Sequence, residues 1–141
     1  MEIKSVQEAQ ALGRGRADIA RRRVGLNGAT FLITRRGQVE QIPVEQVGKT
    51  CCPAARTGTC RHLMALRLLQ GEAPEFANPD LEEVAKAEYA VWMAGGYRGR
   101  MRAPLEVRLE VGRAVAKANG RPFVDYSVLG ASQPLPWEPE E

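Results

Sequence analysis

The feature that most restricts the fold of this chain is one short segment that holds all of its cysteines and its only histidine. Cys51, Cys52, Cys60 and His62 lie within residues 51–62. Zinc prefers four such thiolate and imidazole ligands in a tetrahedron. Three cysteines in a chain without a secretory start also argue against a disulfide framework. The segment therefore predicts a zinc site made by these four residues.

The sequence on either side places this site between a β-hairpin and a helix. Residues 29–34 are rich in β-branched and aromatic side chains, and residues 39–44 read as the returning strand. Pro43 favours an edge position for that strand, because proline offers no amide to a neighbour. After a loop at 48–59, residues 61–70 are apolar on nearly all sides, which predicts a buried helix that stops at Gly71.

The segment TCCPAARTGTCRHLMALRLL resembles the SWIM-type zinc finger, whose pattern is C-x-C, a variable loop, then C-x-H. The likeness rests on Cys52-Pro53, on Cys60-Arg61-His62 and on the apolar helix that follows. It covers about residues 15–70 and implies a strand–strand–helix finger that holds zinc. It further implies binding to DNA or to proteins of the recombination, transposition or transcription machinery.

One departure from the SWIM pattern leaves three interpretations open. The first cysteine of the family falls on Thr50, and this chain has Cys51 instead. Neighbouring residues of an extended strand point apart, so Cys51 and Cys52 reach one metal only if the chain kinks. In the first interpretation the four groups hold zinc. In the second, the thiols pack as small core residues of a finger without metal. A catalytic pair of Cys60 and His62 is the third interpretation, disfavoured because residues i and i+2 on a helix do not face each other.

The remaining sequence predicts mainly helices. One broken helix or two short ones span residues 5–24, with Gly13 and Gly15 as weak points. Further helices are predicted at 79–94 and 104–119, the latter although LEVRLEV alternates like a strand, and a short strand at 122–129. The fold class is α+β: a single small domain over 1–132, with a β-hairpin plus helix finger-like core wrapped by further helices in the region 79–132. An acidic, proline-rich tail at 133–141 is predicted to be flexible.

Charge is distributed unevenly along the chain. Residues 1–67 carry twelve basic and five acidic side chains, a net of +7, whereas residues 68–141 carry a net of −4. A basic half attracts phosphate or an acidic protein surface, and two solvated faces without a partner are the alternative. Candidate nucleic-acid or partner contacts are Arg14, Arg16, Arg21, Arg22, Arg23, Arg98, Arg100, Arg102 and Trp137. The alternative for the arginines is simple exposure at turns.

The motifs that are missing favour a binding protein over an enzyme. The chain has no paired carboxylates, phosphate-binding loop, GxSxG or GxGxxG motif. No apolar run approaches the ~20 residues of a membrane helix, so we expect a cytoplasmic protein, in the host cytoplasm if a phage encodes it. Sixteen arginines against four lysines are compatible with a thermophile.

Size, predicted single domain and arginine-rich composition look similar to those of small phage-encoded inhibitors of host RNA polymerase. We therefore expect a non-enzymatic protein that docks on a protein of the transcription or recombination machinery. The alternative is a zinc-finger accessory of recombination or repair that binds DNA through the basic N-terminal half. A cysteine-dependent enzyme is disfavoured, and the oligomeric state is left open by the sequence.

Overall fold

Helices carry most of the chain that the computed structural model describes, namely residues 1–52, 59–95 and 102–124. The helices are α1 Val6–Ala20, α2 Arg61–Leu69, α3 Pro79–Gly95 and α4 Leu105–Ala118, with a 3-10 turn at Val44–Gln46. The strands are β1 Glu2–Ile3, β2 Val24–Asn27, β3 Thr30–Arg35, β4 Gln38–Pro43 and β5 Glu75–Phe76. The mixed α and β fold predicted from the sequence is confirmed.

Helix α1 is continuous, so the predicted break within residues 5–24 is wrong. Ser5 caps the helix by accepting a hydrogen bond from the Glu8 amide at 3.1 Å. The two glycines do not interrupt the helix because they lie where other helices touch it. A Cβ at Gly13 would lie 2.6 Å from the Ala85 carbonyl oxygen, and one at Gly15 would lie 2.9 Å from the Arg61 carbonyl oxygen. Glycine therefore permits close packing of α1 on α3 and α2.

The predicted hairpin is present as β3 and β4, and a strand that the sequence analysis missed completes a three-stranded sheet. The sheet order is β2-β3-β4, which makes β4 with its Pro43 an edge strand, as predicted. The sequence analysis predicts helix as far as residue 24 and no strand at residues 24–27. Instead the chain reverses after α1 with Arg22 at φ 57°, and Val24 pairs opposite Ile33.

A second sheet, also missed, joins the start of the chain to the segment between α2 and α3. Strands β1 and β5 run parallel, with Ile3 opposite Phe76. Each strand has two residues, too few to show any periodicity in the sequence. The Ile3 side chain is fully buried, so this short pair closes one end of the helical packing.

Two hydrophobic cores share helix α2. The helical core lies among α1, α2 and α3 and contains Ile3, Ala9, Ala11, Leu12, Met64, Leu81, Val84 and Ala85. The sheet core lies between the three-stranded sheet and α2 and contains Phe31, Ile33, Val47, Cys51, Cys60, Ala65 and Leu66. Helix α4 packs on α3 through a third, smaller cluster with Val91, Ala103 and Val111. Because α2 packs in both main cores, its first turn has a fixed position next to Cys51 and Cys60.

The prediction of a helix over 104–119 is confirmed by α4. Its first turn follows Pro104 and its last residue precedes Asn119, in agreement with the end signals. The predicted strand at 122–129 lies largely outside the described residues, as does the predicted tail at 133–141. Within the described ranges, no helix combines the length and apolar character needed to cross a membrane.

Candidate metal centre

The four predicted ligands come from two places that the fold brings together. Cys51 and Cys52 follow the 3-10 turn after β4, where Gly48 takes φ 85° and lies against the side chain of Leu63. Cys60 is the residue just before α2, in an extended conformation, and His62 lies in the first turn of that helix. The junction of hairpin and helix predicted from the sequence therefore carries the site.

The ligand atoms form one cluster within which all lie no more than 4.8 Å apart. The Cys60 sulfur is 3.4 Å from both the Cys51 and the Cys52 sulfur, and these two are 4.0 Å from each other. Nδ1 of His62 is 3.7 Å from the Cys60 sulfur. A tetrahedral zinc ion with sulfur at about 2.3 Å separates its sulfur ligands by about 3.8 Å and sulfur from nitrogen by about 3.6 Å. Three thiols and one imidazole with this spacing fit zinc.

The adjacent cysteines reach the same point because the chain bends there. Residues 47–52 form turns and bends after the 3-10 helix. The alternation of an extended strand therefore does not apply to Cys51 and Cys52, and both sulfurs point to Cys60. This is the local kink that the four-ligand interpretation required.

Burial makes the centre part of the sheet core. Cys60 is 1% exposed and Cys51 is 6% exposed, and both pack with Phe31. The rings of Phe31 and His62 meet edge to face, 6.4 Å apart between centres. Cys52 is half-buried and lies at the solvent side of the cluster. The Gly48 amide donates a hydrogen bond of 3.3 Å to the Cys51 sulfur, a contact that stabilises a thiolate.

Burial also sets the protonation of the cluster in the absence of metal. It raises the pKa of the Cys60 thiol to about 12, against the lowering effect of the Leu63 and His62 amides at the start of α2. Burial lowers the pKa of His62 to about 4, although the nearby Asp18 carboxylate acts in the opposite direction. The metal-free site at neutral pH thus holds a protonated Cys60 and a neutral imidazole. Zinc would displace the thiol proton, and the neutral imidazole could bind it without first losing a proton.

The sequence argument that residues i and i+2 on a helix do not face each other does not apply to Cys60 and His62, because Cys60 lies outside the helix. Cys60 precedes the helix in an extended conformation, so its sulfur turns toward the His62 ring at 3.7 Å. A nucleophilic pair, however, requires a lowered thiol pKa beside a protonated imidazole. The pKa shifts of both groups run in the opposite direction. These shifts do not match those of an activated thiol.

The predicted arginine contacts that the structure describes differ in their burial. Arg14 and Arg16 are half-buried on α1 rather than exposed in a turn, whereas Arg21, Arg22 and Arg102 are exposed. Arg23 lines a cavity beside the metal centre together with Arg14. Arg98, Arg100 and Trp137 lie outside the described residues.

Two buried ion pairs that sequence reasoning missed support the first turn of α2 and the middle of α1. Arg61 donates two hydrogen bonds of 2.7 Å to the carboxylate of Asp18, which is 5% exposed. Arg14 donates to the fully buried Glu88 at 2.8 Å, and the Trp92 indole donates to the same oxygen at 3.0 Å. Trp92 is half-buried, and the Arg61 guanidinium lies over its ring, 4.4 Å from the ring centre.

A cavity of about 470 Å³ opens next to the metal centre. Cys52 and His62 form one side of it, and the ends of α1, β2 and β3 form the others. Its lining holds four guanidinium groups, from Arg14, Arg23, Arg35 and Arg61. Sequence analysis singled out only Arg14 and Arg23 of these, because Arg35 and Arg61 join them only through the tertiary fold.

Comparison with protein-family models, with curated proteins and with solved structures finds no match to this chain.

Proposed function

We propose that this chain is a non-enzymatic, zinc-stabilised protein that docks on a protein component of nucleic-acid machinery. By preference the partner is a bacterial RNA polymerase, which the chain would inhibit as a phage-type regulator in the host cytoplasm. The observation that carries the proposal is the donor set at the junction of hairpin and helix. Cys51, Cys52, Cys60 and His62 offer four protein ligands to one metal position.

Four protein ligands favour a structural role for the metal. Structural zinc sites are closed by four side chains, whereas catalytic zinc sites keep one position for water or substrate. Here two of the four ligands are buried residues of the sheet core, which ties metal binding to folding. The raised pKa of Cys60 and the lowered pKa of His62 likewise give no activated nucleophile. A folded scaffold for binding is the role most consistent with this centre.

The order of elements supports a SWIM-like finger within this scaffold. Strands β3 and β4, the cysteine segment and α2 follow one another as the strand–strand–helix arrangement of that family requires. Cys60 and His62 supply the C-x-H half of the motif. The first half departs from the family, because Cys51 takes the role of a cysteine expected at Thr50.

Docking on a protein suits the distribution of charge better than wrapping by DNA. The acidic half of the chain includes α3, whose first turn carries Asp80 and Glu82. Such a surface repels a phosphate backbone, while a protein partner can meet basic and acidic patches at once. We therefore place the partner surface across both halves of the molecule.

The experiment is co-sedimentation of the zinc-loaded chain with purified bacterial RNA polymerase at ~150 mM salt, where exposed charges are screened beyond ~8 Å. We expect a stable complex and reduced promoter-dependent RNA synthesis. The Cys60→Ser variant serves as the unfolded-finger control and should do neither. Failure to bind any form of the polymerase, with normal transcription, would reject this partner.

Direct DNA binding is the second candidate, favoured by the exposed Arg21 and Arg22 at the end of α1. It predicts a gel shift on bare DNA at the same salt, with log affinity falling by about 0.9 per phosphate contacted for each unit of log salt. The double variant of both arginines to alanine would weaken binding to all DNA sequences alike. A tight shift without any protein would replace the docking proposal with a DNA-binding accessory.

A further inference from the structure

We propose that the cavity beside the metal centre is a binding site for a phosphate monoester of about mononucleotide size. The cavity has a volume of about 470 Å³ and is lined by four arginines and a single carboxylate, Asp18. Small-molecule sites commonly measure about 300–1,000 Å³. The proposed phosphate site is independent of the proposed docking on RNA polymerase.

The lining of the cavity presents four guanidinium groups and one carboxylate. Asp18 accepts two hydrogen bonds of 2.7 Å from Arg61 and is itself buried. Glu88 and Glu40 balance the charges of Arg14 and Arg35 from outside the lining. The proposal therefore rests on the N–H donors that the guanidinium groups keep at the cavity, because such donors match phosphate oxygens in pairs.

Two of these guanidinium groups are fixed in place before any ligand arrives. Arg14 uses only Nε to hold Glu88, so its two terminal nitrogens have no partner among the described residues. Arg61 uses Nε and Nη2 on Asp18, which leaves Nη1 for a ligand. Both lie over the Trp92 ring, at 5.6 Å and 4.4 Å from its centre. Arginines held in this way lose little side-chain entropy on binding an anion.

Backbone contacts position the other side of the cavity. The Arg23 amide donates to the Asp18 carbonyl at 2.9 Å, and the Arg23 carbonyl accepts from the Thr34 amide at 2.8 Å. These bonds fix the Arg23 backbone between α1 and the sheet. Arg35, the last residue of β3, donates from Nη2 to the Cys51 carbonyl. Donors thus approach from three elements, as the oxygens of a tetrahedral anion require.

The size and walls of the cavity favour an organic phosphate over the inorganic ion. Phosphate alone fills only a small part of 470 Å³. Val24 and Ile33 add apolar wall beside the arginines, and Ile33 is buried. An anionic group held by arginines and an organic group against these side chains together match the lining. We therefore infer a monoester rather than a free anion.

The experiment is isothermal titration of the zinc-loaded full chain with adenosine 5′-monophosphate, adenosine, inorganic phosphate and a dinucleoside phosphodiester. We expect saturable binding of the monoester at about 1 mM or tighter, weaker binding of inorganic phosphate and none of adenosine. Arg23→Gln should weaken the monoester about tenfold, the effect of one lost charged hydrogen bond. The matched control Arg36→Gln removes an exposed arginine from the turn after β3 and should change affinity less than about twofold.

A second variant and a second measurement keep the result interpretable if Arg23→Gln folds poorly. Arg35→Gln retains an N–H donor for the Cys51 carbonyl while it removes a cavity charge whose ion-pair partner, Glu40, is exposed, and it should weaken the monoester similarly. In the wild type, saturating monoester should raise the melting temperature. Absence of saturable phosphate binding would overturn the proposal and leave the arginines as counter-charges of the zinc thiolates. Tighter binding of the phosphodiester would overturn the monoester class in favour of a nucleic-acid strand. Neither outcome bears on complex formation with RNA polymerase.

Discussion

The sheet core and the helical core are stabilised in different ways. The helical core is built from aliphatic side chains, with Ile3, Leu12 and Val84 fully buried. The sheet core has Phe31 and Ile33, but two of its buried members are the thiols Cys51 and Cys60. Aliphatic burial contributes about 25 cal/mol per Å² whatever the metal content, whereas a thiol cluster gains most of its stabilisation when metal binds. We therefore expect metal binding to control the stability of the sheet core and not that of the helical core.

Metal removal should have the largest effect and should act on one core only. Chelation, or the Cys60→Ser variant, is expected to destabilise the sheet core by several kcal/mol because a closed zinc site contributes directly to folding. Hydrogen exchange should show loss of protection in β3 while the amides of α1 and α3 stay protected. Elemental analysis should find about one zinc per chain in the untreated protein.

A fully folded protein without metal would contradict this and favour the finger in which thiols act as core residues. The two adjacent cysteines give an internal control for ligand position. Cys51 is buried and receives the Gly48 amide, while Cys52 is half-buried at the cavity. The Cys52→Ser variant should therefore retain more zinc than the Cys51→Ser variant. If Cys51→Ser retains more zinc instead, Cys51 is the cysteine that contributes less to metal binding.

The second-largest effect on stability is expected from a methyl group at Gly13, in the helical core. Its Cβ would lie 2.6 Å from the Ala85 carbonyl oxygen and 2.9 Å from the Tyr89 amide nitrogen, and backbone atoms cannot move aside cheaply. We expect Gly13→Ala to lower the free energy of unfolding by about 3 kcal/mol, measured by urea denaturation. Gly25→Ala is the matched control, because its nearest neighbour is 3.9 Å away. Equal effects of the two variants would contradict the close contact of α1 with α3.

Acid should weaken the metal-free protein by a smaller amount through His62. Burial lowers the pKa of His62 to about 4 from the ordinary 6.5. Between these values the unfolded chain binds more protons than the folded chain, so the free energy of unfolding rises with pH. Acidification of chelated protein from pH 7 to 4 should remove up to about 3 kcal/mol, at ~1.4 kcal/mol per pKa unit.

His62→Gln, which cannot take up a proton, is the control for this acid effect. Urea denaturation of both chelated proteins should show a smaller loss for the variant over the same pH range. An identical pH dependence would place the titrating group elsewhere and would indicate that His62 is open to solvent.

Local patterns predicted the elements that the site needs, and they failed where distant contacts intervene. The helix start near residue 5, the hairpin of residues 29–34 and 39–44, and the apolar helix before Gly71 depend on residues close in sequence, and all three are present. The glycines of α1 were misread as breaks because their neighbours lie on α2 and α3. The two-residue strands β1 and β5 were missed because each is defined only by its partner.

The same division holds for the site. The sequence by itself identified the candidate ligand set, because all of the chain's cysteines and its only histidine lie within residues 51–62. Only the tertiary structure decided how the cluster is surrounded. Arg61 meets Asp18 across 43 positions and Arg14 meets Glu88 across 74, and no local spacing encodes such pairs. Packing of α1 between α2 and α3 brings them together, and with them the arginines that line the cavity.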